Sequence, residues 1–165
     1  MAPGIDLSTM RDAVALWNVD QGSAADVVRA ACDLLVAGLD GPALCTLAAV
    51  SIHHAGEDVP RLLEAALADV GLEHHPKGSA AAGEAVLKAM ASRVLSGVLA
   101  PRALAEWAHS TFGHETLPSA ERLAELDDAY DLSGYPPGLT FEQLDTEITA
   151  EARRIVASDS TAVSG

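Results

Sequence analysis

Two histidines and a run of carboxylates come closest to chemistry in this chain. His109 and His114 lie in Trp107-Ala108-His109-Ser110-Thr111-Phe112-Gly113-His114-Glu115, and Leu126-Asp127-Asp128-Ala129-Tyr130-Asp131 follows shortly after. Imidazole and carboxylate are the donor types of zinc and iron sites, and a glycine between the histidines can turn His114 off the helix axis that carries His109. A helical hairpin would then bring Asp127 or Asp131 opposite them. These two aspartates are four apart and share a flank; at 100° per residue Asp127 falls about 40° from Leu123, so it is expected to be partly buried. His109, His114, Asp127 and Asp131 are therefore the candidate metal-ligating or acid–base set. The competing structural reading makes Asp127 a hydrogen-bond acceptor for a core His, Trp or Arg and leaves His109 facing solvent. No strict ligand motif, such as two His four apart with an intervening Glu, favours the metal.

The other histidines offer less. His53-His54 are adjacent, so on a regular helix their imidazoles point about 100° apart and cannot share an ion. One of them is expected to cap a helix C-terminus, where a cation is favoured. His74-His75 lie in the polar turn Glu73-His74-His75-Pro76-Lys77-Gly78, which explains them as exposed loop residues. No Gly-flanked serine elbow, phosphate-cradling loop or dinucleotide fingerprint is present, so catalysis has no positive signal and no cofactor is expected.

Electrostatics is the third constellation. From Glu115 to Glu151 the acidic residues are Glu115, Glu121, Glu125, Asp127, Asp128, Asp131, Glu142, Asp145, Glu147 and Glu151, against Arg122 alone. Such a stretch is either a solvated face that keeps the chain dissolved or a docking surface that steers a basic protein partner. On the docking reading Glu115, Glu121, Glu125, Asp128, Glu142, Asp145, Glu147 and Glu151 meet the partner.

Whole-chain composition limits the partner classes. With 24 acidic and 10 basic residues the net charge is −14, the opposite of a phosphate-neutralising surface, so direct nucleic-acid binding is not expected. The same charge disfavours anionic lipid, and no apolar run approaches the roughly 18 residues of a membrane span. Met1-Ala2-Pro3-Gly4 has neither the positive charge nor the apolar stretch of a secretory signal, so a cytoplasmic location is expected. Cys32 and Cys45 sit in apolar helical patterns and read as core thiols.

The elements that must position these residues read as helices throughout, without sustained alternation or β-branched enrichment. An opening helix spans about Leu7 to Trp17. Ser23 with Asp26 marks an N-terminus ahead of the stripe Val27, Val28, Ala31, Leu34, Leu35 and Gly38. Pro42 opens a helix that ends near His54, and Asp58-Val59-Pro60 opens one terminated by Gly71. Ser79 caps the strongest pattern, with Val86, Leu87, Met90, Ala91, Val94 and Val98 on its apolar face. Pro101 opens a helix with Leu104, Trp107, Ala108 and Thr111 on one side, and Gly113 stops it. Pro118 opens another with Leu123, Leu126 and Tyr130 inward. Ser133 to Gly138 is a Gly- and Pro-rich loop. Thr140 with Gln143 is a capping-box pattern for the last helix, whose core face is Phe141, Leu144, Ile148, Ala152 and Ile155. The expected fold is all-α: one domain over 1–157, an irregular bundle of about seven or eight helices with at most a local solenoid-like stack, and a disordered tail at 158–165.

Across Ala100 to Asp131, in Pro101-Arg102, Trp107-Ala108-His109, Phe112-Gly113-His114-Glu115 and Leu126-Asp127-Asp128-Ala129-Tyr130-Asp131, and again at Glu151-Ala152-Arg153-Arg154, the chain resembles small all-helical proteins of actinobacteria. Some of these resemble immunity or partner proteins of bacterial conflict systems. The resemblance implies a helical fold and a cytoplasmic location, and it carries no residue-level activity. The leading expectation is thus a non-enzymatic, acidic protein-binding module, an immunity or regulatory subunit for a basic protein partner. The alternatives are a metal-binding helical protein or hydrolase using the His/Asp set, and a structural subunit that packs against a copy of itself.

Overall fold

The computed structural model describes residues 4–132 and 138–158. Among them are eight α-helices, α1 (Ser8–Trp17), α2 (Ala24–Val36), α3 (Pro42–Ala48), α4 (Ala55–Asp69), α5 (Ala80–Leu95), α6 (Pro101–Phe112), α7 (Glu121–Asp131) and α8 (Phe141–Ala157), with two short 3-10 turns and no strand. The fold is all-α, an irregular helical bundle. The helices gather into two compact units, Met1–Val86 and Leu87–Gly165.

In the first unit α2 packs against α1, α3 and α4, and α3 packs against α4. Its core is aliphatic: Met10, Val27, Ala31, Leu44, Leu47 and Val59 are fully buried. Each large aliphatic side chain taken out of water contributes about 2 kcal/mol, which holds helices as short as α3 that would not persist alone. Ser23 caps α2 through a complete capping box: its Oγ accepts from the Asp26 N–H and Asp26 accepts from the Ser23 N–H. Gly71 ends the α4 region at φ +74°, in the left-handed range that glycine enters freely.

One contact in this unit joins distant parts of the chain. Asp69, the last residue of α4, accepts from the Ala43 and Leu44 N–H groups at 2.8 and 3.0 Å and so caps α3. Gly41 makes room for it, since a Cβ there would lie 2.5–2.7 Å from three atoms of the Asp69 side chain.

Some expectations are corrected here. The helix opened by Pro42 stops at Ala48, and Ile52, His53 and His54 form a 3-10 turn with Ile52 half exposed. His54 therefore precedes a helix instead of closing one, and no His capping of a C-terminus occurs there. Helix α4 begins at Ala55, and Pro60 lies inside it, lacking only the N–H that would have reached the Gly56 carbonyl. Starting earlier puts Glu57 and Asp58 in the first turn, where the helix dipole favours them. Both cysteines are exposed: Cys32 lies 100° beyond Ala31 and Cys45 100° beyond Leu44, just off their buried stripes. Gly38 stands beyond the end of α2 at φ +102°.

The second unit is built from α6, α7 and α8, each packed against the other two. Leu104, Ala108, Leu123, Leu126, Leu144 and Ile148 are buried along them. Helix α5 contains the division between the units, with Val86 in the first and Leu87, Met90, Ala91 and Val94 in the second; all five are buried at the expected spacing, but the helix ends at Leu95 and Val98 is 70% exposed. Thr140 and Gln143 form the second complete capping box, at the start of α8. Gly113 ends α6 at φ +63°. Phe141, expected on the core face, is 55% exposed, and Thr111 is exposed as well. Arg154, in the last turn of α8, pairs with the buried Glu151 one turn earlier. Ser158 continues the end of α8, with its Oγ donating to the Ile155 carbonyl. The proposed tail beyond it and the 133–137 part of the expected loop lie outside the described residues.

Candidate functional site

The site is built on the junction of α6 and α7. Helix α6 presents His109 in its last turn, the Gly113 break turns the chain, and His114 follows at once. Glu121, in the first turn of α7, locks this turn with both carboxylate oxygens. Its Oε1 accepts from His114 Nδ1 at 2.7 Å, and its Oε2 accepts from the Glu115 N–H at 2.7 Å. Glu115 is held at φ +65°, a left-handed conformation that a residue with a side chain enters at a cost. The Glu121 bond to its N–H offsets that cost.

Two residues further along α7 complete the cluster. Asp127 Oδ2 accepts from His109 Nδ1 at 2.9 Å, and Asp128 Oδ2 lies 3.0 Å from His114 Nε2. Asp128 Oδ1 is also 3.8 Å from His109 Nδ1. The imidazoles meet edge to face with centroids 4.9 Å apart. One donor atom from each of His109, His114 and Asp128 lies within 4.8 Å of the others. Asp127 is the most sheltered member, its side chain 18% exposed; His109 is 29% exposed and Asp128 51%.

His114 has a carboxylate at each ring nitrogen, so both can donate only when the ring is cationic. The Glu121 hydrogen bond, with that of Asp128 behind it, raises its pKa above 6.5 despite some opposing desolvation. The pKa of Glu121 is lowered, first by the Glu115 N–H and then by His114.

The expected ligand set is thus redistributed. His109, His114 and Asp127 do meet, but Asp127 orients His109, while Asp128, which the sequence suggested only as a partner-binding residue, closes the grouped donors. Asp131 is exposed at the end of α7 and is not among those donors. His109 is half-buried against Asp127 instead of facing solvent. Glu121 had no role beyond surface charge in the sequence; its position seven residues after His114 gives no local signal, because a turn and a 3-10 segment separate them.

The acidic stretch is partly neutralised from within. Glu121, Asp127 and Asp128 face the two imidazoles, and Asp145 accepts from the Tyr130 hydroxyl. Glu151, expected to meet a partner, is only 9% exposed and holds Arg154, so it is removed from the outward surface. Glu115, Glu125, Glu142 and Glu147 remain exposed. Arg122 reaches Glu125 at 3.1 Å on its own helix and Glu147 of α8 at 3.9 Å.

An aromatic feature adjoins these carboxylates. Phe141 stacks on Tyr130 with centroids 5.1 Å apart, and the Arg102 guanidinium lies 4.7 Å from the Tyr130 centroid. Burial and the Asp145 contact push the Tyr130 pKa up. Along α8, Glu142, Asp145, Thr146, Thr149 and Arg153 line an open hollow of about 300 Å³. Comparison with protein-family models, curated proteins and solved structures finds no match to this chain. Among the described residues no helix is long and apolar enough to cross a membrane.

Proposed function

We propose that this protein is a non-enzymatic binding module whose α7–α8 face docks a basic protein partner, acting in the cytoplasm as an immunity or regulatory subunit. The observation that carries this reading is the exposed Phe141, stacked on Tyr130 beside the acid-lined hollow of α8. An aromatic anchor with carboxylates around it matches the division of labour at protein interfaces. The aromatic supplies desolvated contact area, and the surrounding charges steer approach and reject partners of like sign. Net charge −14 extends the steering field over the chain, although salt limits its reach to about 8 Å under physiological conditions.

The test is capture with cross-linking and mass spectrometry from the native cell lysate, comparing the parent with Phe141→Ala and with the double reversal Glu142→Lys/Glu147→Lys. The reading expects a partner cross-linked through a Lys- or Arg-rich surface, lost on adding salt and weakened in both variants. Recovery of the same partner by all three proteins, or of none, sinks it. Recovery of a second copy of the chain replaces it with the homo-oligomer alternative.

A further inference from the structure

We propose that His109, His114 and Asp128 form a binding site for a single divalent first-row transition ion, zinc foremost. The donor atoms already lie within 4.8 Å of one another, whereas donors around a tetrahedral zinc stand about 3.3 Å apart. Partly exposed side chains can close that gap by small rotations. Two nitrogens and one oxygen select zinc and its neighbours over magnesium or calcium, which prefer all-oxygen shells.

The surroundings of the two rings are an independent reason. Each imidazole has its own carboxylate at Nδ1: Asp127 on His109 at 2.9 Å and Glu121 on His114 at 2.7 Å. For His114, whose Nε2 faces Asp128, this is the outer-shell arrangement of metal-bound histidines, in which the carboxylate fixes the ring and makes it a better donor; for His109 the Asp127 bond fixes where the ring stands. For His114, donation from Nδ1 to Glu121 leaves Nε2 to carry a lone pair 3.0 Å from Asp128 Oδ2. An ion there takes the place of a proton. Glu121, Asp127 and Asp128 outnumber the two imidazoles, so the cluster stays negative even with both rings cationic, and a dication relieves that excess. Three protein donors leave a fourth position for water. The site is separate from the docking face, which needs Phe141 and the α8 carboxylates and no metal.

Calorimetric titration of the purified, chelator-treated full chain with zinc chloride alone decides it, with cobalt substitution as a spectroscopic check. The expected result is one equivalent bound at low-micromolar zinc, with the visible bands of tetrahedral cobalt. His109→Ala, His114→Ala and Asp128→Asn should abolish binding. Asp127→Asn, which only loosens His109, should weaken it roughly tenfold or more. The double variant His74→Ala/His75→Ala and the pair Cys32→Ser/Cys45→Ser should bind as the parent does. Absence of saturable zinc binding in the folded parent overturns the proposal. So does binding that survives His114→Ala and Asp128→Asn but is lost on changing the His74-His75 pair or the cysteines.

Discussion

The two compact units spend their polar side chains differently. In Met1–Val86 the ion pairs Arg29–Asp26 and Arg61–Asp58 each stay on one helix, one turn apart, and the capping box of α2 is equally local. Two contacts reach further: Asp69 caps α3, and the Cys32 Sγ donates to the Ala48 carbonyl at 3.4 Å. Leu87–Gly165 has such local pairs too, Arg122–Glu125 and Arg154–Glu151, but other polar groups there reach between helices: His109 to Asp127, Tyr130 to Asp145, and Arg122 to Glu147. A helical unit needs its ends capped and its apolar faces covered. It does not need two imidazoles among three carboxylates. The first unit uses much of its polarity to finish helices, and the second carries polar groups beyond what its helix ends require.

The sharpest way to break this contrast is to damage the first unit's core. Leu47→Ala should destabilise by about 3 kcal/mol in denaturant unfolding, since Leu47 is fully buried and the cavity adds to the lost transfer energy. At 25 °C the folded variant should keep the partner and zinc affinities of the parent. Changed affinities in a folded sample would show that the units do not divide structure from recognition.

Gly41→Ala comes next. The added Cβ must displace Asp69 and break both of its bonds to α3, so a loss of about 2 kcal/mol is expected in the same assay. Unchanged stability would mean that the Asp69 cap contributes nothing. In the second unit, Tyr130→Phe should destabilise by about 1 kcal/mol by removing the hydroxyl bonded to Asp145. An equal effect on partner capture would tie that bond to recognition as well as to folding.

The α2 capping box gives a pH test. The Ser23 N–H holds the Asp26 pKa below the ordinary 3.8, so its contribution is complete above that value and is lost as pH falls through the lower folded pKa. Asp26→Asn should therefore flatten the acid limb of the stability curve below about pH 4 and leave binding by the second unit untouched. Acid unfolding curves of parent and variant would show this directly; parallel curves would refute it.

The smallest effect on stability belongs to the outward charges. Glu142→Lys with Glu147→Lys should change unfolding free energy by no more than about 1 kcal/mol, the sum of a charge in the first turn of α8 and an exposed pair with Arg122. The same change should slow partner association most at low ionic strength, as stopped-flow or surface-capture rates would report. Slower association with equal salt sensitivity in both proteins would remove steering from the account.

Legibility followed the range of the interaction. Ser23 with Asp26 and Thr140 with Gln143 were readable because a capping box lies within four consecutive residues. Gly71 and Gly113 were readable because a helix stop needs a positive φ at one position. Pro60 was misread because proline starts helices more often than it lies inside them, and the 3-10 turn at Ile52–His54 moved the true start back to Ala55. Phe141 was misread because its spacing to Leu144 and Ile148 fits the buried face, yet at the first position of α8 it reaches Tyr130 at the edge of that face.

By itself the sequence determined an all-α chain, most of its helix ends, its apolar stripes and its excess of negative charge. These depend on periodicity, caps and composition, which act over a turn or less or over the chain as a whole. Only the tertiary structure decided that His114 meets Glu121 and Asp128, that Asp127 supports His109, that Asp131 is left outside, and that Glu151 is buried against Arg154. Adjacent residues such as Asp127 and Asp128 point about 100° apart on α7. Which of them faces each histidine depends on how the turn at Gly113 aims α6 against α7, and no spacing along the chain encodes that angle.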